Sequence, residues 1–166
     1  MDVSGYQHSD SITINRPPDD VYAIVSDVTR VGELSPVCKA STWDDASKAG
    51  TEGAWFTGTN AIGEDITWDT HCQVVAAKPG QEFAFVNHGR EGDMELVRWG
   101  YLFEPDGDGT KVTESWKVLP DYPTMVRGHA PDMDDGDVKA RIDGMAQMAR
   151  DGIKETLANL KRVAES

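Results

Sequence analysis

The spacing of the hydrophobic positions divides the chain into a first strand, two short helical pieces, a long β region and a final helix. Ile12 and Ile14 alternate with polar residues over residues 11–14, which predicts a half-buried strand. After two prolines, apolar residues recur at helical spacing, and a short helix is expected to end near residues 27–30. A second short helical piece is expected at residues 31–34, before Ser35-Pro36 imposes an extended backbone.

The middle of the chain has the pattern of β structure. Runs of alternating residues are separated by turn signals, of which the segment from Asp106 to Gly109 is the clearest hairpin. Short loops between successive strands favour antiparallel pairing. The predicted strands are residues 37–43, 54–60, 66–77, 81–86, 96–104 and 110–118.

From Asp137 to the end of the chain the spacing becomes helical again. Apolar and small residues fall within an arc of about 120° and predict one long amphipathic helix. Residues 120–136 are expected to be a connector with a short helical turn at residues 124–127. Because the stripe of the final helix must be buried against a sheet face, this order of elements predicts an α+β fold, with residues 1–166 forming a single domain.

Composition and charge narrow the function classes. A formal net charge of −13 argues against binding a nucleic-acid backbone or an anionic membrane surface, because both require clustered basic residues. No apolar run is long enough to span a bilayer, and the N-terminus lacks the pattern of a secretory signal, so we expect a cytoplasmic protein without stable membrane insertion. Cys38 and Cys72 are expected to be buried, unreactive thiols.

Aromatic residues concentrate on one face of the predicted sheet. Alternation places Trp68, Trp99, Tyr101 and Trp116 on the interior side of three strands. If the sheet curves strongly around the final helix, these side chains border an apolar space of the kind that holds small ligands. Ordinary core packing is the alternative for each of them. Further candidate ligand contacts are Phe56 from the sheet and Met145 and Met148 from the helix.

Glu114 is the most informative polar residue, because alternation places it between two apolar neighbours on the interior face. A carboxyl group without solvent there has a raised pKa, which suits a general acid or base. The alternative is a structural carboxyl whose partner is an indole N–H, the Tyr101 hydroxyl or an arginine. Asn60 and Thr70 are lesser polar candidates for the same space.

Metal and nucleotide chemistry have no motif in this sequence. The four histidines have no metal-ligand spacing, and we place His8 and His88 in loops. The acidic segment that begins at Asp132 lacks the glycine and glutamate positions of a calcium loop, and no phosphate-binding glycine loop occurs. We therefore expect neither a metal nor a cofactor.

Several segments together resemble one known family, the START/SRPBCC superfamily of polyketide cyclase/dehydrase-like proteins. These segments are Ile14-Asn-Arg-Pro-Pro-Asp-Asp-Val-Tyr-Ala-Ile-Val-Ser-Asp27, Ser35-Pro-Val-Cys-Lys39, Gly53-Ala-Trp-Phe-Thr-Gly-Thr-Asn60, Trp99-Gly-Tyr101 and Gly109-Thr-Lys-Val-Thr-Glu-Ser-Trp116. The resemblance is greatest to single-domain actinobacterial members. It implies a helix-grip fold, in which a curved seven-stranded antiparallel sheet wraps around the C-terminal helix with two short helices after the first strand. It also implies a deep cavity for lipids, sterols, polyketides or similar molecules.

Two function hypotheses follow, since a fold does not determine an activity. The first is a monomeric or homodimeric binding protein that encloses a hydrophobic small molecule, with Glu114 holding one polar group. The second is a polyketide cyclase or aromatase that catalyses aldol ring closure and dehydration, with Glu114 moving the proton.

Overall fold

The structure is a computed structural model that describes residues 1–166. Seven strands form one antiparallel sheet in the order β1-β7-β6-β5-β4-β3-β2. The strands are β1 (Gln7–Ile14), β2 (Cys38–Trp43), β3 (Trp55–Ile62), β4 (Ile66–Lys78), β5 (Glu82–Asn87), β6 (Val97–Asp106) and β7 (Gly109–Val118). The helices are α1 (Pro18–Ser26), α2 (Asp121–His129) and α3 (Asp135–Glu165), with 3₁₀ helices at Val28–Glu33 and Ala46–Lys48.

Local sequence explains where the helices begin. Pro18 stands at the first position of α1, where its missing N–H costs no hydrogen bond, and Asp19 and Asp20 follow in the electropositive first turn. At the start of α3, the Asp134 side chain accepts a hydrogen bond from the backbone N–H of Asp137. This contact satisfies one of the N–H groups that have no partner within the helix.

The connection between β6 and β7 is the tightest in the sheet. Asp106 pairs with Gly109, so only two residues form the turn, and the first of them, Gly107, has φ of 59°. A left-handed residue at this position matches the twist of the flanking strands, and glycine adopts it without strain. The hairpin predicted at this segment is therefore present.

Helix α3 packs mainly against β1 and β7, which lie side by side at one edge of the sheet. Register shifts in β2 and β4 interrupt regular pairing at the other side, and such irregularities bend the strands that carry them. The sheet curves around α3, and the inner faces of β3 to β6 border a cavity below the helix. This is the helix-grip fold that the resemblance implies.

Two regions differ from the sequence expectations. Residues 121–129 form the helix α2 instead of part of a connector; Pro123 lies in its first turn, where proline is tolerated, and Val126 is buried. Strand β1 begins at Gln7, four residues earlier than expected, so His8 lies in a strand and not in a loop. The inward-facing residues in the first half of β1 are polar, so hydrophobic alternation gives no signal in this part of the chain. Backbone hydrogen bonding to β7 extends the strand over these residues.

The helices of this protein all lack the long uninterrupted apolar stretch that crossing a lipid bilayer requires.

Candidate functional site

A cavity of about 840 Å³ lies between the inner face of the sheet and α3. This volume is within the range of roughly 300–1,000 Å³ that is typical of small-molecule sites. The structure places all ten sequence-predicted site residues in its lining. They are Phe56, Asn60, Trp68, Thr70, Trp99, Tyr101, Glu114, Trp116, Met145 and Met148.

Aromatic rings form a wall across the sheet side of this cavity. Trp99 of β6 lies between Phe85 of β5 and Trp116 of β7 in the strand register. Phe85 also contacts Phe56 of β3 edge to face, with 5.1 Å between the ring centroids. Trp116 is only 2% exposed and is therefore part of the core, whereas Trp99 is half-buried. Trp99 is thus the indole of this pair with surface left for a ligand.

A tyrosine–glutamate pair lies beside the aromatic wall. Tyr101 and Glu114 face each other across β6 and β7, and the Tyr101 hydroxyl donates a hydrogen bond of 3.0 Å to Glu114 Oε1. Glu114 is 3% exposed, and its other oxygen, Oε2, is enclosed and has no hydrogen-bond partner. The partner proposed for a structural carboxyl, the Tyr101 hydroxyl, is therefore in place.

Burial determines the charge of this pair. Loss of solvent raises the pKa of Glu114 to about 8, although the hydrogen bond from Tyr101 opposes the shift. Burial, followed by the charge of Glu114, raises the pKa of Tyr101 well above its ordinary value. On the other side of Glu114, the register places Asp10 of β1 and no basic residue. Glu114 is consequently a neutral carboxylic acid near pH 7.

A second set of polar side chains lies on β2, β3 and β4. Asn60, 7% exposed, donates through Nδ2 to the Trp68 carbonyl and to Thr70 Oγ1, both at 3.3 Å. Ser41 is also buried, and its hydroxyl lies 3.6 Å from Cys38 Sγ. These side chains and the tyrosine–glutamate pair are on opposite sides of the aromatic wall.

The two thiols near this group are held in their neutral form. Burial raises the pKa of Cys72 to about 12 and raises that of the half-buried Cys38. An unreactive thiol is what the sequence suggested for both positions.

The mouth of the cavity is charged and exposed. Asp69 at the end of the β3–β4 hairpin, Arg90 in the β5–β6 loop and Arg141 on α3 are exposed members of the lining. Met148 is 42% exposed there, while Met145, one turn earlier, is half-buried. Glu114 is the only carboxyl or basic side chain of the lining that is buried. The other acidic and arginine side chains of the lining are exposed, apart from the half-buried Asp27.

Sequence reasoning missed several lining residues. Phe85 shares a face with Phe83 in a predicted strand, so alternation was a usable signal. Tyr122 and Met125 line the cavity from α2, where only a short helical turn at residues 124–127 was expected. Cys38 and Ser41 line it from β2, and only the pairing of β2 with β3 brings them there. No group of three or more His, Cys, Asp or Glu side chains has an arrangement that holds a metal ion.

Comparisons with known proteins agree with this architecture. The family model described as polyketide cyclase/dehydrase and lipid transport matches residues 7–165. The solution NMR structure of the Polyketide_cyc-like protein Cgl2372 from Corynebacterium glutamicum is 35% identical, covers 99% of this chain and 94% of that one, and has a TM-score of 0.69. No curated protein sequence matches the chain.

Two more distant structures share the fold alone. The di-domain aromatase/cyclase StfQ of the steffimycin biosynthetic pathway is 12% identical, with a TM-score of 0.68 over 96% of this chain and 50% of that one. Protein Ms6760 from Mycobacterium smegmatis is 12% identical, with a TM-score of 0.66 over 98% of this chain and 92% of that one. Given the family match over nearly its whole length, the chain belongs to the polyketide cyclase/dehydrase and lipid transport family.

Proposed function

We propose that this protein binds a hydrophobic small molecule, such as a lipid or a polyketide, in the cavity between the sheet and α3. The observation that carries the proposal is an open space of about 840 Å³ with aromatic rings along one wall. A closely packed interior leaves few voids larger than a water molecule, so core packing does not account for a space of this size. The description of the matched family includes lipid transport.

The distribution of charge supports an apolar ligand. Asp69, Arg90 and Arg141 stand at the mouth, where water solvates them, and the enclosed part of the lining presents rings, methyl groups and a few neutral polar atoms. A charged ligand group in that enclosed part would lose its hydration without gaining an ion-pair partner, which costs several kcal/mol. The apolar body of a ligand loses only unfavourable contact with water.

The experiment is a fluorescence titration with Nile red, an uncharged apolar dye. Wild-type protein is expected to bind the dye saturably, and Trp99→Ala is expected to weaken binding about tenfold because a large ligand-facing ring is lost. Trp55→Ala is the matched control, because Trp55 lies on the opposite face of β3 and is not part of the cavity lining. Absence of saturable binding to the wild type, or equal losses in both variants, contradicts the proposal.

The tyrosine–glutamate pair favours a second candidate function, the aldol ring closure and dehydration of a poly-β-ketone chain. The Tyr101 hydroxyl donates to Glu114 Oε1, so the ionised form of Glu114 takes the Tyr101 proton while the Tyr101 oxygen takes a proton from the carbon next to a ligand carbonyl; the proton then returns by the same route in the dehydration step. Glu114→Gln keeps the size of the side chain but cannot exchange this proton. Cyclisation by the wild type that is lost in Glu114→Gln, with Nile red binding retained, supports this function. Cyclisation that is equal in both proteins contradicts it.

A further inference from the structure

A glycine in the middle of β3 leaves the strand backbone uncovered between three closely spaced polar side chains. Gly58 faces the cavity, and in the register it lies between Ser41 of β2 and Thr70 of β4. A β-carbon at this position would lie 3.2 Å from Cys38 Sγ, 3.3 Å from Thr70 Oγ1 and 3.4 Å from Ser41 Oγ. Three polar atoms therefore surround a point that any other residue would fill. We call this space, with Asn60 beside it, the Gly58 cradle.

The backbone gives no reason for glycine at this position. Gly58 is absent from the glycines with positive φ, which are all in turns or loops, so an alanine has no conformational penalty there. Glycine inside a strand weakens it, and it often marks a place where a ligand or another backbone approaches closely. No backbone atom lies near the missing side chain of Gly58, since its nearest neighbours are all side-chain atoms. Crowding by these three side chains is one reason for glycine here, and the uncovered backbone also lets a ligand atom approach the strand closely.

The hydrogen bonds of Asn60 determine what the cradle offers. The Trp68 carbonyl can only accept a hydrogen bond, so the amide nitrogen of Asn60 must face it, and the orientation of the amide group is settled. The amide oxygen, Oδ1, then has no hydrogen-bond partner in the protein, although Asn60 is only 7% exposed. Thr70 Oγ1 accepts from Asn60, and its own hydrogen has the Cys72 sulfur, a weak acceptor, as its protein partner, which a ligand oxygen can replace. The cradle thus presents both an acceptor and a donor.

The cradle contains no charge. Its thiol neighbours, Cys38 and Cys72, have pKa values raised by burial and remain neutral near pH 7. None of the residues that form it is acidic or basic. A carboxylate, phosphate or ammonium group would have no counter-charge there. A hydroxyl or carbonyl oxygen is matched by the acceptor and donor available.

We propose that the Gly58 cradle is a second polar subsite of the cavity, which takes an uncharged hydroxyl or carbonyl group at the end of the ligand remote from Tyr101 and Glu114. This inference rests on the proposed binding function and specifies its ligand class: an uncharged molecule with an apolar body and a hydrogen-bonding oxygen at each end. Tyr101 lies two strands from Thr70 and three from Gly58.

The test compares 1,10-decanediol with 1-decanol by displacement of Nile red. The diol has an oxygen for each polar end, so Thr70→Val and Tyr101→Phe are each expected to weaken its binding about fivefold, the effect of one hydrogen bond. The mono-alcohol can use whichever polar end remains, so each single variant is expected to change its affinity less than about twofold. Only the double variant should weaken binding of the mono-alcohol as much as one single variant weakens binding of the diol.

Gly58→Ala tests the uncovered backbone, because the added methyl group lies in close contact with Cys38 Sγ, Thr70 Oγ1 and Ser41 Oγ and closes the cradle while every hydrogen-bonding atom is kept. It is expected to reproduce the loss for the diol and to spare the mono-alcohol. Thr59→Val is the control, since Thr59 is the next residue of β3 and is exposed on the opposite face. Thermal unfolding of every variant confirms that it is folded.

Three results overturn the inference: equal changes for both alcohols in Thr70→Val and Gly58→Ala, no change for either alcohol, or the same loss in Thr59→Val. In each case Nile red still binds the wild type, so the proposed binding function stands. A wild type that binds neither the dye nor either alcohol contradicts that function itself.

Discussion

The two edges of α3 have different surroundings, although they belong to one helix. Along the edge that packs on β1 and β7, Val138, Ile142, Ile153 and Leu160 are fully buried among aliphatic residues of the sheet. The other edge lines the cavity with small or flexible residues. They are Gly144, Met145, Met148, Ala149 and Gly152. Branched side chains fill the packed edge, while the open edge combines glycine and alanine with flexible methionine side chains. The small residues on this stripe of the helix leave room for the cavity.

Glu114 lies on β7, which packs against α3, and it also lines the cavity. We expect it to have the largest effect on the free energy of unfolding. Its pKa is about 8 in the folded protein and 4.5 without the fold, so between these values the folded state holds a proton that the unfolded state has lost. Its contribution to the free energy of unfolding is complete below pH 4.5 and disappears as the pH rises towards 8, a loss on the order of 4 to 5 kcal/mol. Urea unfolding at a series of pH values measures it.

Glu114→Gln is the matched variant, because glutamine has the same shape and does not titrate. Its free energy of unfolding should lack this decline, so the difference between variant and wild type should change in favour of the variant as the pH rises from 5 to 8. Parallel curves for the two proteins would show that Glu114 titrates normally and is accessible to solvent.

Truncation on the two edges of α3 is expected to differ in cost. Ile153→Ala removes a fully buried side chain from the packed edge and should lower the free energy of unfolding by roughly 2–5 kcal/mol. Met148→Ala removes a side chain that is 42% exposed at the open edge and should cost less than about 1 kcal/mol. Chemical denaturation of both variants checks this contrast. Similar losses would mean that the two edges are equally packed.

The smallest effect is expected at a glycine of the open edge. A β-carbon at Gly144 would have no atom within 4 Å, and its helical backbone is one that alanine prefers. Gly144→Ala should therefore raise the free energy of unfolding by roughly 0.5–1 kcal/mol. Thermal unfolding detects a change of this size. A decrease in stability would show that the open edge is more crowded than the structure indicates.

Patterns within a single element were enough to predict much of the fold. The stripe of α3, the Asp106–Gly109 hairpin and the inward side of Trp99, Tyr101 and Trp116 all follow from periodicity. The same alternation placed Glu114 on the inner face, and burial there raises its pKa. Local sequence carries this information because each feature depends on neighbours two to four residues away.

Features that depend on pairing between distant segments could not be predicted in this way. The Gly58 cradle requires Ser41, Gly58 and Thr70 to meet in one register across three strands, and alternation within a strand does not set the register between strands. The first half of β1 pairs with β7 through its backbone while its inward side chains are polar, so hydrophobic alternation is missing there. Only a short turn at residues 124–127 was expected where α2 lies, because Pro120 before the helix and Pro123 in its first turn are typical of a connector.

The most direct test of the central claim uses the five tryptophans. Trp68, Trp99 and Trp116 line the cavity, whereas Trp43 and Trp55 do not. In a ¹H–¹⁵N spectrum recorded during a titration with 1-decanol, the indole N–H signals of the first three should shift together and reach saturation, and those of the other two should stay in place. Five unchanged signals, or equal shifts for Trp43 and Trp55, would contradict a ligand site between the sheet and α3.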